Sequence, residues 1–415
     1  MDTALITNEG IVLGLLALIL AAVFYTQNSS HSFWQKFYRV VPALLLCYFI
    51  PSLLNTFDIV NGETSGVAKV VKTYLLPACL VLLTLSLDLK AISKLGWRIV
   101  VLFFVGTFGI LIGGPIALLI GSAIFPELIG VDGPEAVWRG MTTIAGSWIG
   151  GGANQLAMKE TYEVGNDIFS AMVTVDIIIA NIWMAVLLYL AANHKRIDAN
   201  LGADVSAIDD IRRRVEHYEA EHKRNAGVPE YIFILAAAFG AAGIGHFAAD
   251  LIAPYIGENY PALKQMSLDA KFLWVIMVAT AVGIALSFTR VRKLEGAGAS
   301  KIGSVMIYFL VASIGLSMDI TAIADVPKYF VLGAIWMIIH AGLIVVVARL
   351  IKAPTFYMAV ASQANVGGAA SAPVVASAFH PSLASVGVLL AVLGYAVGTY
   401  VAYFCGQVLR LIAVG

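Results

Sequence analysis

Two stretches of the chain have the composition of a binding site placed where a plain helix is expected. They read MTTIAGSWIGGGANQLAM (141–158) and MAVASQANVGGAASAPVV (358–375). Each sets consecutive glycines, Gly150-Gly151-Gly152 and Gly367-Gly368, in the middle of an apolar block, with Ser147, Asn154 and Gln155 around the first and Ser362, Gln363 and Asn365 around the second. A glycine inside a helix costs about 1 kcal/mol relative to alanine, so these runs are expected to open their helices. Backbone freed at membrane depth survives only when buried in protein or beside a water-filled cavity. Broken helices there turn N–H groups toward anions and unwound carbonyls toward cations. The eleven residues named are therefore the candidate substrate- or ion-binding set. Close packing of small residues is the plain alternative, and its weight falls because the pattern occurs twice.

An acid in the middle of an apolar block is expensive and defaults to a functional hypothesis. Asp176, with Asn181 five residues on, lies near the centre of 166–193 and is the coupling candidate, able to bind Na⁺ or carry a proton. The matching position in the second half is Leu393, so this role is not symmetric. Asp88 and Asp319 stand at helix ends and read as caps. His246 and Asp250, at i and i+4, read as a local pair, and His340 as a satisfied core histidine. No transition-metal ligand spacing is present, and no cofactor is implied beyond a coupling ion.

The elements that must position these residues are apolar segments near the length that crosses a hydrocarbon core of about 30 Å. The 415 residues are 60% hydrophobic and 13% charged with zero net charge, which excludes an ordinary soluble domain and leaves no basic footprint for nucleic acid. Segments fall near 10–27, 38–55, 73–89, 98–124, 141–158 and 166–193, then 229–252, 269–289, 304–319, 329–351, 355–378 and 382–410. Between the sets, 194–228 is hydrophilic, carries Arg212-Arg213-Arg214 and reads as a cytoplasmic linker. Cys47, Cys79 and Cys405 sit inside apolar blocks as small buried side chains. The acidic start, Asp2 and Glu9, is unlike a signal peptide, so the first block is expected to be retained.

The halves repeat. LSLDLKAI (85–92) matches LSMDITAI (316–323), displaced by 231, and Ile149-Gly150-Gly151 matches Val366-Gly367-Gly368, displaced by 217. The 121–140 connector, with Pro126, Gly130, Gly133 and Pro134, absorbs the difference. A duplicated membrane unit accounts for this. If the interrupted segments re-enter, each half has five crossings and the repeats are inverted; if they cross, the halves are parallel. The distribution of Lys and Arg barely separates the two, and the acidic connectors 127–135 and 160–167 favour the inverted arrangement with an external N-terminus.

The stretches GSWIGGGANQLA, ASQANVGGAASAP and LAVLGYAVGTYVAY (390–403) make most of the chain resemble the membrane family called domain of unknown function 819. That family is grouped with cation-coupled antiporters and with glutamate:sodium and bile-acid:sodium symporters. The resemblance implies a mobile core with two crossed broken elements and a scaffold that dimerises. It names no substrate. One departure is Trp148, where the family carries a smaller or hydroxyl side chain.

The expected fold is thus all-α and polytopic: repeat 1–193, linker 194–228, repeat 229–415, with a core of 73–193 plus 304–410 and a scaffold of 10–55 plus 229–289. The expected function is cation-coupled secondary transport of a small polar organic anion or zwitterion by an elevator motion, Na⁺ favoured over H⁺. The protein is expected to be a homodimer in a lipid bilayer, in the inner (plasma) membrane of a bacterium. A channel with a Gly-rich filter is the alternative. A membrane enzyme is disfavoured, because no metalloprotease, nucleophile-elbow or phosphate-loop motif occurs.

Overall fold

The structure is a computed structural model that describes residues 4–38, 41, 43–62, 65–203, 226–316, 327–380 and 383–415. Arg212-Arg213-Arg214, Asp319 and most of LSMDITAI lie outside those residues. Every described apolar segment is helical, and no strand occurs among the described residues. In chain order the helices are α1 Glu9–Gln27, α2 Ser32–Phe37, α3 Ala43–Thr56, α4 Gly66–Val70, α5 Leu76–Leu85, α6 Leu89–Ser93, α7 Trp97–Ile124, α8 Val137–Thr161 and α9 Asn166–Ala192. There follow α10 His194–Leu201, α11 Val228–Asn259, α12 Lys271–Ser287, α13 Ala299–Gly315, α14 Pro327–Leu350, α15 Thr355–Val366, α16 Gly368–Phe379 and α17 Ala384–Val414. Seven spans (α1, α4–α5, α7, α9, α11, α14 and α17) are long and apolar enough to cross a membrane, and α12 bends by 94° into the turn Arg290–Ala297. The chain is an integral membrane protein.

Prolines inside these helices leave carbonyls without their i+4 donor, and at this depth another group must supply one. Pro77 frees the Thr73 carbonyl at a π-turn, Val71–Leu75, and the His246 ring on α11 bonds it at 3.1 Å. Pro115 frees the Leu111 carbonyl on α7, and the Cys405 thiol on α17 donates to it at 3.5 Å. His246 thus spends a ring nitrogen on Thr73, and Asp250, still within its electrostatic reach, is bonded by Lys271 at 2.8 Å. Asp88 does cap α6, accepting from the Ala91 N–H at 2.9 Å, and also pairs with Arg292 at 3.0 Å.

The helices pack as two groups. In one, α5 lies against α11, α12 and α13, α3 against α1 and α13, and α11 against α12. Close approach makes this possible: a methyl at Gly283 would meet Thr84 and Val81, and one at Gly303 would meet Leu82. In the other, α7 pairs with α14 and α8 with α17, while α15 and α16 lie against α9 and α17. Glycines 109, 113, 114 and 121 on α7 receive His340, Trp336 and Leu332 of α14. The sequence pattern places 73–89 and 304–319 in the core; their helices, α5 and α13, pack instead with α3, α11 and α12. The small residues that let them nest there, Gly283 and Gly303, belong to apolar runs with no marker of partner choice.

The broad contacts come in matched pairs across the halves. α1 meets α3 as α11 meets α12; α3 meets α13 as α12 meets α5; α8 meets α17 as α15 and α16 meet α9. The main contacts between the two groups are one-sided: α5 and α12 reach α8 and α17, and α3 adds only the Tyr48 side chain against Gln155.

Candidate functional site

Both Gly-rich segments break as the glycines require, and with similar angles at the first glycine of each break. Gly150 has φ −135° and ψ 16°, and Gly367 has φ −118° and ψ 0°. The next residue turns left-handed in each case, Gly151 at φ 70° and Gly368 at φ 54°, a region that strains any residue with a Cβ.

Each broken segment has both of its ends on one side. At the first, Gly165 donates to the Pro134 carbonyl at 2.8 Å, Ile168 N–H to Glu135 at 2.7 Å, and the rings of Trp138 and Tyr162 meet at 5.8 Å. At the second, the rings of Phe356 and Phe379 meet at 5.3 Å. The two mouths lie at opposite ends of α9: Lys159 bonds Asn166 at one, while Asp198 on α10 accepts from Thr355 at the other. The 27 residues of α9 span about 40 Å. The breaks come together between the mouths, where a methyl on Gly368 would lie 3.7 Å from Gly151 Cα, with Tyr395 against both. Helix α17 approaches through Gly394 and Gly398, which abut the Ile149 carbonyl and Gly150 Cα.

Around this crossing the sequence-named residues are buried and most are engaged. Asn154 donates to the Gly150 carbonyl at 2.8 Å and accepts from Thr399 at 2.6 Å. Asn365 donates to the Phe103 and Ala361 carbonyls and accepts from Thr107 at 2.7 Å. Ser362 accepts from the Trp183 indole and bonds His340 Nε2, both at 2.8 Å. His340 Nδ1 meets the Gly106 carbonyl at 3.0 Å, so donor accounting gives a neutral ring protonated at Nδ1. Gln363 Nε2 donates to Ser371 at 2.6 Å, while its Oε1 is buried without a partner. Gly152 has open space where a side chain would be.

Asp176 lies beside the first break. Its Oδ1 accepts from the Trp148 indole at 2.6 Å and its Oδ2 from Gln155 Nε2 at 2.9 Å, and Ser147 bonds the same carboxylate. Gln155 Oε1 in turn accepts from the Tyr48 hydroxyl at 3.4 Å. Asn181 is not part of this cluster; it bonds the Ile177 carbonyl of its own helix at 2.7 Å. At the first mouth a polar cavity of about 420 Å³ lies between the helix groups, lined by Lys72, Lys159, Glu160, Glu163, Asn166 and Lys271, and an ion pair joins Lys72 to Glu160. Among the described residues no His/Cys/Asp/Glu cluster could hold a metal.

Residue types alone do not mark Tyr48, Thr107, Trp183, Tyr395 and Thr399, which complete these networks. Each is a lone polar group in an apolar run, and only the fold shows what it faces.

A membrane protein with paired interrupted hairpins is the class these observations define. The sequence profile described as "Protein of unknown function (DUF819)" matches residues 14–412, and the chain belongs to that family. It is also similar to the "Uncharacterized membrane protein YjcL" of Bacillus subtilis (strain 168), 23% identical over 362 residues that cover 83% of this chain and 84% of that protein.

Proposed function

We propose that the chain is a secondary transporter built from two inverted repeats, each with five crossings and one re-entrant hairpin. One observation carries this reading: two similarly broken hairpins, with mouths at opposite ends of α9, meet tip to tip. A substrate held at their tips can be offered to either side by moving the hairpins together, and α7, α8, α9 and α14–α17 form the group that would move. The one-sided contact with α5 and α12 is what such a group makes at one end of its travel.

The substrate is a small polar organic anion or zwitterion. The first N–H groups of each half-helix beyond its break have no intrahelical partner and attract negative charge. The unpartnered Gln363 Oε1 asks for a donor on the same ligand. Transport is coupled to a cation, with Asp176 as the charged group. A homodimer forms through the other helix group, whose α11 exposes Phe233, Phe239, Phe247 and Leu251.

The test is a thermal-shift screen of the purified protein against organic acids and amino acids, followed by uptake of the hits into proteoliposomes. Saturable uptake driven by an ion gradient supports the transporter. Conductance that does not saturate would establish the channel alternative instead.

A further inference from the structure

The groups around Asp176 discriminate between cations. Hard metal ions are held by shells of oxygen atoms. Here the carboxylate meets hydrogen instead, from the indole of Trp148 on one oxygen and the amide of Gln155 on the other. An indole nitrogen donates only and cannot turn to become a ligand. A proton asks for much less, a single lone pair, and of the four that the carboxylate offers, Trp148, Gln155 and Ser147 occupy three. No Lys or Arg among the described residues pairs with Asp176. The titratable groups that face it from neighbouring elements are few. From α3 comes Tyr48, with Cys47 beside it. The His340 ring on α14 is turned elsewhere, with both nitrogens engaged by the Gly106 carbonyl and Ser362. From α8 come the neutral Ser147, Trp148 and Gln155.

Gln155 has two usable orientations. With Asp176 ionised, its NH₂ donates to the carboxylate and its Oε1 accepts from Tyr48, as observed. When Asp176 takes a proton from water it becomes a donor. The amide then gains by turning over, so that Oε1 accepts from the new O–H and NH₂ donates to the Tyr48 oxygen. No covalent bond other than the O–H forms or breaks. Tyr48 belongs to α3, in the other helix group, so the turn is felt across the boundary between groups.

We infer that Asp176 is a reversible proton-binding site and that the Gln155 amide passes its protonation state to Tyr48 across the seam between the two helix groups. The coupling ion is then H⁺, in place of the Na⁺ favoured by residue types alone. The use of the site in transport rests on the proposed function; its existence does not.

The experiment is a pH titration of the purified full-length protein in nanodiscs, needing no substrate. Infrared spectra follow the protonated-carboxyl C=O stretch, and tryptophan fluorescence follows Trp148. The expected result is one transition seen by both, absent in Asp176→Asn. Trp148→Phe loses the fluorescence signal and keeps the infrared band, which guards against a variant that merely misfolds. Gln155→Leu removes a donor to the charged form and moves the midpoint up by about one pH unit. Replacing choline chloride with NaCl leaves the midpoint unchanged. A band that survives Asp176→Asn, or a midpoint that falls as Na⁺ rises, overturns the proton site. The relay is read from thermal midpoints of Tyr48→Phe, Asp176→Asn and the double variant. Tyr48 and Asp176 share the partner Gln155, so some coupling is expected from the network alone; coupling that changes between pH below and above the carboxyl transition supports the relay, and coupling that is the same on both sides overturns it. A protein that passes these tests yet moves no solute would defeat the transporter reading alone.

Discussion

The first hairpin and the second have similar breaks and two chemistries. At a constant displacement of 217, Gly150-Gly151 and Gly367-Gly368 repeat the break. The side chains around it do not repeat: Trp148 stands where the second half has Asn365, Asn154 where it has Ser371, Gln155 where it has Ala372, and Asp176 where it has Leu393. The partner helices differ too, since Gly398 of α17, pressed on the first break, corresponds to Asn181 of α9. The two segments thus share what the crossing demands of the main chain. Charge and bulk gathered on one side of it.

The largest test of that contrast is steric. Gly398→Leu drives a side chain into Gly150 and Asn154 and should cost at least about 3 kcal/mol, read as loss of a monodisperse peak and of the thermal midpoint. The matched Asn181→Leu, on a half-buried face, should stay within about 1 kcal/mol. Equal damage from both would mean that the two hairpins are packed alike.

Next comes hydrogen bonding. Asn154→Ala removes the donor to the Gly150 carbonyl and strands the Thr399 hydroxyl, for a cost of about 1–3 kcal/mol. Ser371→Ala removes a single bond to Gln363 and should cost about 1 kcal/mol. Thermal midpoints of the two variants rank them, and the reverse order would place the tighter break in the second half.

At the breaks themselves, Gly151→Ala and Gly368→Ala each place a Cβ at positive φ, at about 1–3 kcal/mol apiece, the larger cost at Gly151, whose ψ of −176° suits glycine alone and whose Cβ would meet Tyr395 at 3.0 Å. A silent substitution at one of them would show that its break relaxes freely. The smallest effect is expected away from both breaks, where Lys271→Ala breaks an exposed pair with Asp250 and should leave the thermal midpoint nearly unchanged.

Much of this architecture is legible in the amino-acid sequence. Glycine runs at membrane depth have few physical outcomes, so the breaks at 150–151 and 367–368, and their meeting, follow from composition and repetition. The amides are legible as polar groups near the break but not in their roles. Asn154 and Asn365 hold the crossing to α17 and α7, because bonds to Thr399 and Thr107 depend on which helix lies opposite. The division between groups is displaced by one helix in each half for the same reason: the glycines that seat α5 and α13 are indifferent, in sequence, to the partner they admit. Charge alone singles out Asp176, whereas Trp148, which occupies one of its oxygens, stands out in the sequence only as an unusually large residue.

The aromatic contacts at the hairpin mouths bear on mechanics. Trp138 on Tyr162 and Phe356 on Phe379 tie together the two legs of each hairpin at its root, more than two helical turns from its tip. Arg139 reinforces the first by donating to the Tyr162 carbonyl. Tongs riveted at the handles cannot spread their points by flexing one arm. Each hairpin is therefore stiff in the direction that would let its tip gape, and compliant only as a whole lever swung from its base.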